Sequence, residues 1–244
     1  MDRSVVTTLV RLLASDRRGA RQRIRRLMRP AWLGTLRRTE PLSPVWGVDR
    51  GSPVDRCYIE SFLREHRGDI RGRVLEVRDS RYTLKYGSEV ARADVLDVNP
   101  ANRRATIVAD LAAADAIRPG QFDCFVLTQT LQYIYDPRAA VAHAARILSP
   151  GGVLLATVPA ISRVDRRHAG DYWRFTAAGC ARLFGDAFGA RQVEVRSYGN
   201  VLASIAFLTG MAREELAPRE LAAHDELFPV VIAVRARKRP EEIS

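Results

Sequence analysis

A doubly wound α/β architecture with a mainly parallel, seven-stranded sheet is what the sequence predicts, on three observations. Seven short β-type runs succeed one another along the chain, helical runs lie between many of them, and the chain is long and apolar enough for one large domain. Strands that alternate with helices pair in parallel, and helices then cover both faces of the sheet. The 244 residues, 47% hydrophobic and 27% charged, sit at globular averages. They exclude a chain disordered throughout, and they accommodate one domain with an extension rather than two catalytic domains. No apolar run reaches the roughly 18 residues of a membrane span, and no short apolar segment with a cleavage site opens the chain. The expectation is a soluble protein of the cytoplasm.

The elements follow in order. Residues 1–40 hold eleven Arg against Asp2, Asp16 and Glu40, so eight of the eleven net positive charges of the chain sit there. Between Ser4 and Met28 the residues Val5, Leu9, Leu12, Leu13, Ile24, Leu27 and Met28 recur at helical spacing with Arg on the other faces, which predicts a basic amphipathic arm. Such an arm suits an anionic membrane surface, a protein partner or a nucleic-acid backbone; the plainer expectation is a solvated helix resting one stripe on the body. A peripheral position at a membrane is the alternative to a purely cytoplasmic one. Residues 41–52, rich in Pro, Gly and Ser around Trp46-Gly47-Val48-Asp49-Arg50-Gly51, form a linker or lid, because such a stretch cannot be a regular helix. The α/β domain is expected over 53–244. Pro53 suits the first turn of a helix carrying Tyr58, Ile59, Phe62 and Leu63 on one stripe.

Strands are then predicted at 73–77, 93–97, 105–108, 122–127, 152–158, 192–196 and 229–234, with helices over 137–148 and 176–188, the latter capped by Thr176. Cys57, Cys124 and Cys180 form no Cys-x-x-Cys pair, and His66, His143, His168 and His224 are scattered. The cysteines read as buried small hydrophobes, and no metal site is expected. In an open sheet of this kind the ligand lies outside the carboxyl ends of the strands, so the residues just after each strand are the ones to inspect. Glu76 closes the first strand, Asp97 the second, Asp110-Leu111 follows the third, Thr128-Gln129 the fourth, and Leu148-Ser-Pro-Gly-Gly152 turns into the fifth.

Over residues 53–237 this order resembles the class I S-adenosylmethionine-dependent methyltransferases. The resemblance implies a Rossmann-like methyltransferase sheet, S-adenosyl-L-methionine as cofactor, and a cofactor site of Glu76, Val77, Arg78, Asp97, Asp110, Leu111, Thr128 and Gln129. Asp97 would take the ribose hydroxyls, Asp110 the adenine amine with Leu111 over the ring, and Thr128 and Gln129 the methionine portion. One residue departs from the pattern: Arg78 stands where the family has Gly two residues after the first-strand acid. The absence of a Gly-x-Gly-x-x-Gly run argues against a nicotinamide enzyme.

The stretch His168-Ala-Gly-Asp171-Tyr172-Trp173-Arg-Phe-Thr176 is similar to acceptor loops of glycan and small-molecule methyltransferases. His168 and Asp171 are the candidate bases for removing a hydroxyl proton, Tyr172 and Trp173 the candidate platform for a sugar face, and Asp49, Arg50 and Tyr58 the candidate closure of the same cleft. The function expected is O-methylation of a sugar, glycan or other small-molecule hydroxyl. The alternatives are a non-catalytic module of the same fold in which Arg78 has displaced the cofactor, and, drawing only on the arm, a nucleic-acid methyltransferase.

Overall fold

The computed structural model describes residues 27–28, 34–167 and 170–240. The chain divides into two compact units, 1–40 and 41–244. In the first, Leu27 and Met28 are helical and exposed and Gly34–Leu36 forms one 3-10 turn; the rest of the expected amphipathic helix lies outside the described residues.

The second unit begins with a turn over residues 44–50 and continues into helix α1 (Val54–Glu65), with Pro53 as its N-cap. There follow β1 (Gly72–Val77), α2 (Arg81–Tyr86), β2 (Val90–Asp97), β3 (Ile107–Val108), β4 (Phe122–Thr128), α3 (Pro137–Ile147), β5 (Leu148–Pro159), α4 (Ala177–Phe188), β6 (Val193–Tyr198), α5 (Val201–Thr209), α6 (Pro218–Ala222) and β7 (Val231–Arg237). The sheet order is β3-β2-β1-β4-β5-β7-β6. All pairs are parallel except those of β7, which runs antiparallel between β5 and β6. The strand order reverses between β1 and β4, and in open sheets of this kind the ligand lies outside the carboxyl ends at such a switch point.

Both faces are covered, as a doubly wound sheet requires. Phe125 and Leu127 of β4 pack with Phe184 and Phe188 of α4 and Ile147 of α3; Cys124 and Val126 point the other way, into the layer of Ile59 and Phe62 from α1, Tyr82 from α2 and Phe207 from α5. Phe122 shares the face of Phe125 although it lies three positions before it, because the pairing of β4 with β5 slips between Phe122 and Cys124. Asp136 caps α3 through the amides of Arg138 and Ala139 with Pro137 in the first turn, and the Thr176 hydroxyl accepts from Gly179 N–H at the start of α4.

Three departures from the expected elements have physical causes. Helix α5, Val-Leu-Ala-Ser-Ile-Ala-Phe-Leu-Thr, is apolar nearly all round and therefore has no helical period to read. Residues 41–52 pack as part of the compact unit: Leu42 N–H donates to Thr209 C=O (2.7 Å), and the Ser43 hydroxyl accepts from the amides of Val45 and Gly47. Cys57 is only half-buried, whereas Cys124 and Cys180 are core residues. Among the described residues no helix is long and apolar enough to cross a membrane.

Candidate active site at the carboxyl ends of the strands

The first strand ends on a buried carboxylate with a structural task. Glu76 accepts the Tyr82 N–H (3.0 Å), the Thr83 N–H (2.7 Å) and the Thr83 hydroxyl (2.7 Å), so it caps α2 from within the sheet. Burial pushes its pKa up and the Thr83 and Tyr82 bonds oppose this. Glu76 is thus withdrawn from the cofactor role expected of it, because it is buried and three of its lone-pair sites are taken by the start of α2. Val77 is half-buried against the core.

Arg78 holds φ +73°, in the left-handed region that glycine adopts without steric cost. The backbone turn that a Gly would make is therefore kept with an arginine in it. Its N–H donates to Leu96 C=O (2.8 Å), its C=O accepts from Asn102 Nδ2 (2.8 Å), and the residue is exposed. Asn102 Nδ2 also donates to Asp97 Oδ2 (2.6 Å), tying the β1 loop to the end of β2, while Asp97 Oδ1 accepts from Asn99 N–H (2.9 Å). A carboxylate offers about four lone-pair sites, so these two bonds leave each Asp97 oxygen able to accept once more. Vicinal hydroxyls need that capacity.

Asp110 is exposed, and its Oδ1 accepts from Ala112 N–H (2.9 Å), capping the 3-10 turn Leu111–Ala113. Leu111 itself is buried in the core beneath that turn, so its side chain cannot cover an adenine ring. Thr128 ends β4 opposite Thr157 of β5. Gln129 is again left-handed, at φ +47°, with its N–H on Thr157 C=O (2.7 Å). Its Nε2 is buried without a partner, as are Oε1 of Gln132 and Oγ1 of Thr157. Buried polar atoms left unpaired at a strand end mark a place that a polar ligand or water completes.

The loop after β5 is built on two carboxylates. Asp171 receives both terminal nitrogens of Arg174 (2.5 and 2.8 Å) and the Asp165 N–H (2.8 Å). The Arg174 guanidinium holds its carboxyl below the usual carboxylate range. A fully engaged, depressed carboxylate is a poor proton acceptor, so Asp171 is a strut rather than the base expected of it. Asp165 is buried and receives the Arg167 guanidinium at 2.9 and 3.0 Å. Arg174 Nη2 also reaches Arg163 C=O (2.9 Å), and Tyr172 N–H donates to Gln132 C=O (2.8 Å), which fixes the loop against the end of β4. Tyr172 and Trp173 stay exposed, Tyr172 edge-on to Tyr135 (5.3 Å between centroids) and Trp173 donating to Ile134 C=O (3.0 Å). His168 lies outside the described residues.

The 44–50 turn closes against the same loop through Trp46. Its Nε1 donates to Ser162 Oγ (3.0 Å), and Arg163 and Arg167 stand over its ring at 3.6 and 4.9 Å. The residues expected to close the cleft have other partners. Asp49 accepts the Ser43 hydroxyl and shapes the turn, Arg50 pairs with Glu215, and Tyr58 is buried in the core beside Tyr198 with its pKa raised to about 12 by burial. Asn102, Gln132, Asp165 and Arg174 went unrecognised in the sequence. Only Arg174, three residues after Asp171, carried a local signal.

Residues 62–156 match the family model described as a methyltransferase domain, a span that includes Glu76, Arg78, Asp97, Asp110 and Gln129. Three solved structures show the same fold. The [4+2]-cyclase SpnF is 17% identical, covering 78% of this chain and 85% of its own (TM-score 0.51). Phosphoethanolamine N-methyltransferase 2 of Haemonchus contortus, in complex with S-adenosyl-L-methionine, is 14% identical over 76% of this chain and 53% of its own (TM-score 0.51). A SAM-dependent methyltransferase of Archaeoglobus fulgidus is 12% identical over 75% and 94% (TM-score 0.50). No curated protein sequence matches the chain. Sheet order and matched span agree on a methyltransferase-like fold. Over residues 62–156 the chain is similar to the methyltransferase-domain family, and its fold is shared with S-adenosylmethionine-dependent enzymes among the solved structures.

Proposed function

We propose that the protein methylates a hydroxyl of a sugar, glycan or other small molecule with S-adenosyl-L-methionine as donor. The observation that carries the cofactor half of this reading is Asp97: a half-buried carboxylate at the end of β2, at the switch-point side of the sheet, held by two chain donors and able to accept two more hydrogen bonds. The residues fit the cofactor. Asp97 would hold the ribose, Asp110 the adenine amine through the oxygen that does not cap the 3-10 turn, and the orphaned Gln129 amide would meet the polar methionine end. Arg78, exposed on a left-handed turn, supports room for the ligand beside the β1 loop.

The bound cofactor supplies an electrophilic methyl group on its sulfonium. The chain's own contribution is alignment of the acceptor oxygen and removal of its proton. With Asp171 committed to Arg174, His168 is the remaining candidate for the base, its neutral imidazole taking the hydroxyl proton. The exposed rings of Tyr172 and Trp173 offer an apolar face for a polyol ring. The test is incubation of the protein and isotopically labelled cofactor with cell extract, followed by mass spectrometry for compounds that gain one labelled methyl. A labelled ether on a hydroxylated metabolite supports the proposal; a labelled amine alone, or no labelled product, overturns the O-methylation assignment.

A further inference from the structure

We propose that the Arg163 guanidinium anchors an anionic group, a carboxylate or a phosphate, carried by the acceptor; this rests on the small-molecule methylation proposed above and narrows the class of its substrate. Arg163 lies just beyond the end of β5 at Pro159, on the carboxyl side of the sheet. Arg174 ties it to the candidate acceptor loop, donating to Ser162 C=O (3.4 Å) and to Arg163 C=O (2.9 Å). Residues 160–175 hold four Arg against two Asp, and both acids are spent on other partners. Asp165 carries Arg167 and Asp171 carries Arg174. Among the described residues no carboxylate pairs with Arg163.

The hydrogen bonding of this half-buried guanidinium is one-sided. Nη1 donates to Val164 C=O (3.1 Å), whereas Nε is buried without a partner and Nη2 has none among the described residues. Nε and Nη2 form the side-on edge of a guanidinium, two parallel donors that match two oxygens of a carboxylate or a phosphate. Arg167 shows what such an edge takes: its Nε and Nη2 hold the two oxygens of Asp165 at 3.0 and 2.9 Å. A buried N–H left unpaired is costly, the more so on a charged group, and an oxyanion on the Arg163 edge removes that cost. Trp46 holds the edge in place. The guanidinium lies 3.6 Å over the centroid of its ring, and the ring is fixed in turn by Nε1 donating to Ser162 Oγ (3.0 Å). A donor pair held in position before the ligand arrives loses little freedom on binding it.

The experiment has two arms. In the first, the full chain is melted in low-millimolar sodium phosphate and in sodium citrate at constant ionic strength. At least one of these anions is expected to raise the melting temperature of the wild type; Arg163→Gln should abolish the rise, and Arg163→Lys, which keeps the charge without the fork, should keep only part of it. Equal rises in wild type and Arg163→Gln, or no rise with either anion, overturn the anion site whatever the protein methylates. In the second arm, wild type and variants transfer labelled methyl groups in cell extract. The labelled product is expected to be retained on an anion exchanger, with phosphatase treatment telling phosphate from carboxylate, and Arg163→Gln should form it roughly tenfold more slowly or less at limiting extract. A neutral or cationic product overturns the anionic acceptor and leaves the methylation standing. No labelled product, with the Arg163-dependent melting shift intact, contradicts the methylation and leaves the anion site standing.

Discussion

Arg78 is the residue on which the site turns. An L-residue in the left-handed region costs roughly 1–2 kcal/mol, and glycine escapes that cost while losing about 0.5–1 kcal/mol more backbone entropy on folding. Arg78→Gly is therefore expected to stabilise the protein by up to about 1 kcal/mol, read as a small rise in melting temperature. Because the side chain is exposed, the same change should alter S-adenosylhomocysteine affinity by less than about tenfold, that is, less than about 1.4 kcal/mol. A large gain would show that the guanidinium fills the cofactor's space; a large loss would show that it binds the methionine carboxylate. The position was legible in the sequence because a family pattern with Gly there makes any other residue conspicuous. The roles of its neighbours were not. Glu76 sits where a ligand carboxylate was expected, but its task depends on α2 folding back to offer two amides and a hydroxyl, which no spacing within 76–83 announces.

At the scale of elements, the strands and the capped helices could be read directly from period and cap residues, and their ends carry the acids of the candidate site. What could not be read were contacts between distant segments. Trp46 and its two guanidiniums are more than a hundred residues apart, and Asn102 joins two strand-end loops through one amide. The loop after β5 illustrates the consequence, since Asp171 is a candidate base by sequence and carries Arg174 on both its oxygens in the fold. The carboxyl is depressed in the folded protein, so its stabilising contribution is present above the ordinary Asp value near about 3.9 and is lost as pH falls through the folded value. Asp171→Asn should cost about 1.5–3 kcal/mol at neutral pH, the value of hydrogen bonds to a charged partner, and should flatten the acid limb of stability below about pH 4. Thermal unfolding across that range checks both; an unchanged acid limb would show that the pair contributes nothing.

For the whole molecule, the division at residues 40 and 41 sets where the chain can be cut. A fragment of residues 41–244 retains every described contact of the larger unit and should melt within a few degrees of the full chain. A fragment of 53–244 loses the Trp46 ring from beneath Arg163 and Arg167 and the Leu42 bond to α5, and should unfold earlier. Equal melting of the two fragments would return residues 41–52 to the role of a passive linker.

Isothermal titration of S-adenosylhomocysteine tests most directly the proposal that the carboxyl ends of β1 and β2 hold the cofactor. The wild type should bind, and Asp97→Ala, which removes the acceptor proposed for both ribose hydroxyls, should weaken binding by roughly 1.5–3 kcal/mol, or about ten- to a hundredfold, without a matching loss of melting temperature. Equal heats from the two proteins, or no heat from the wild type, would contradict the account.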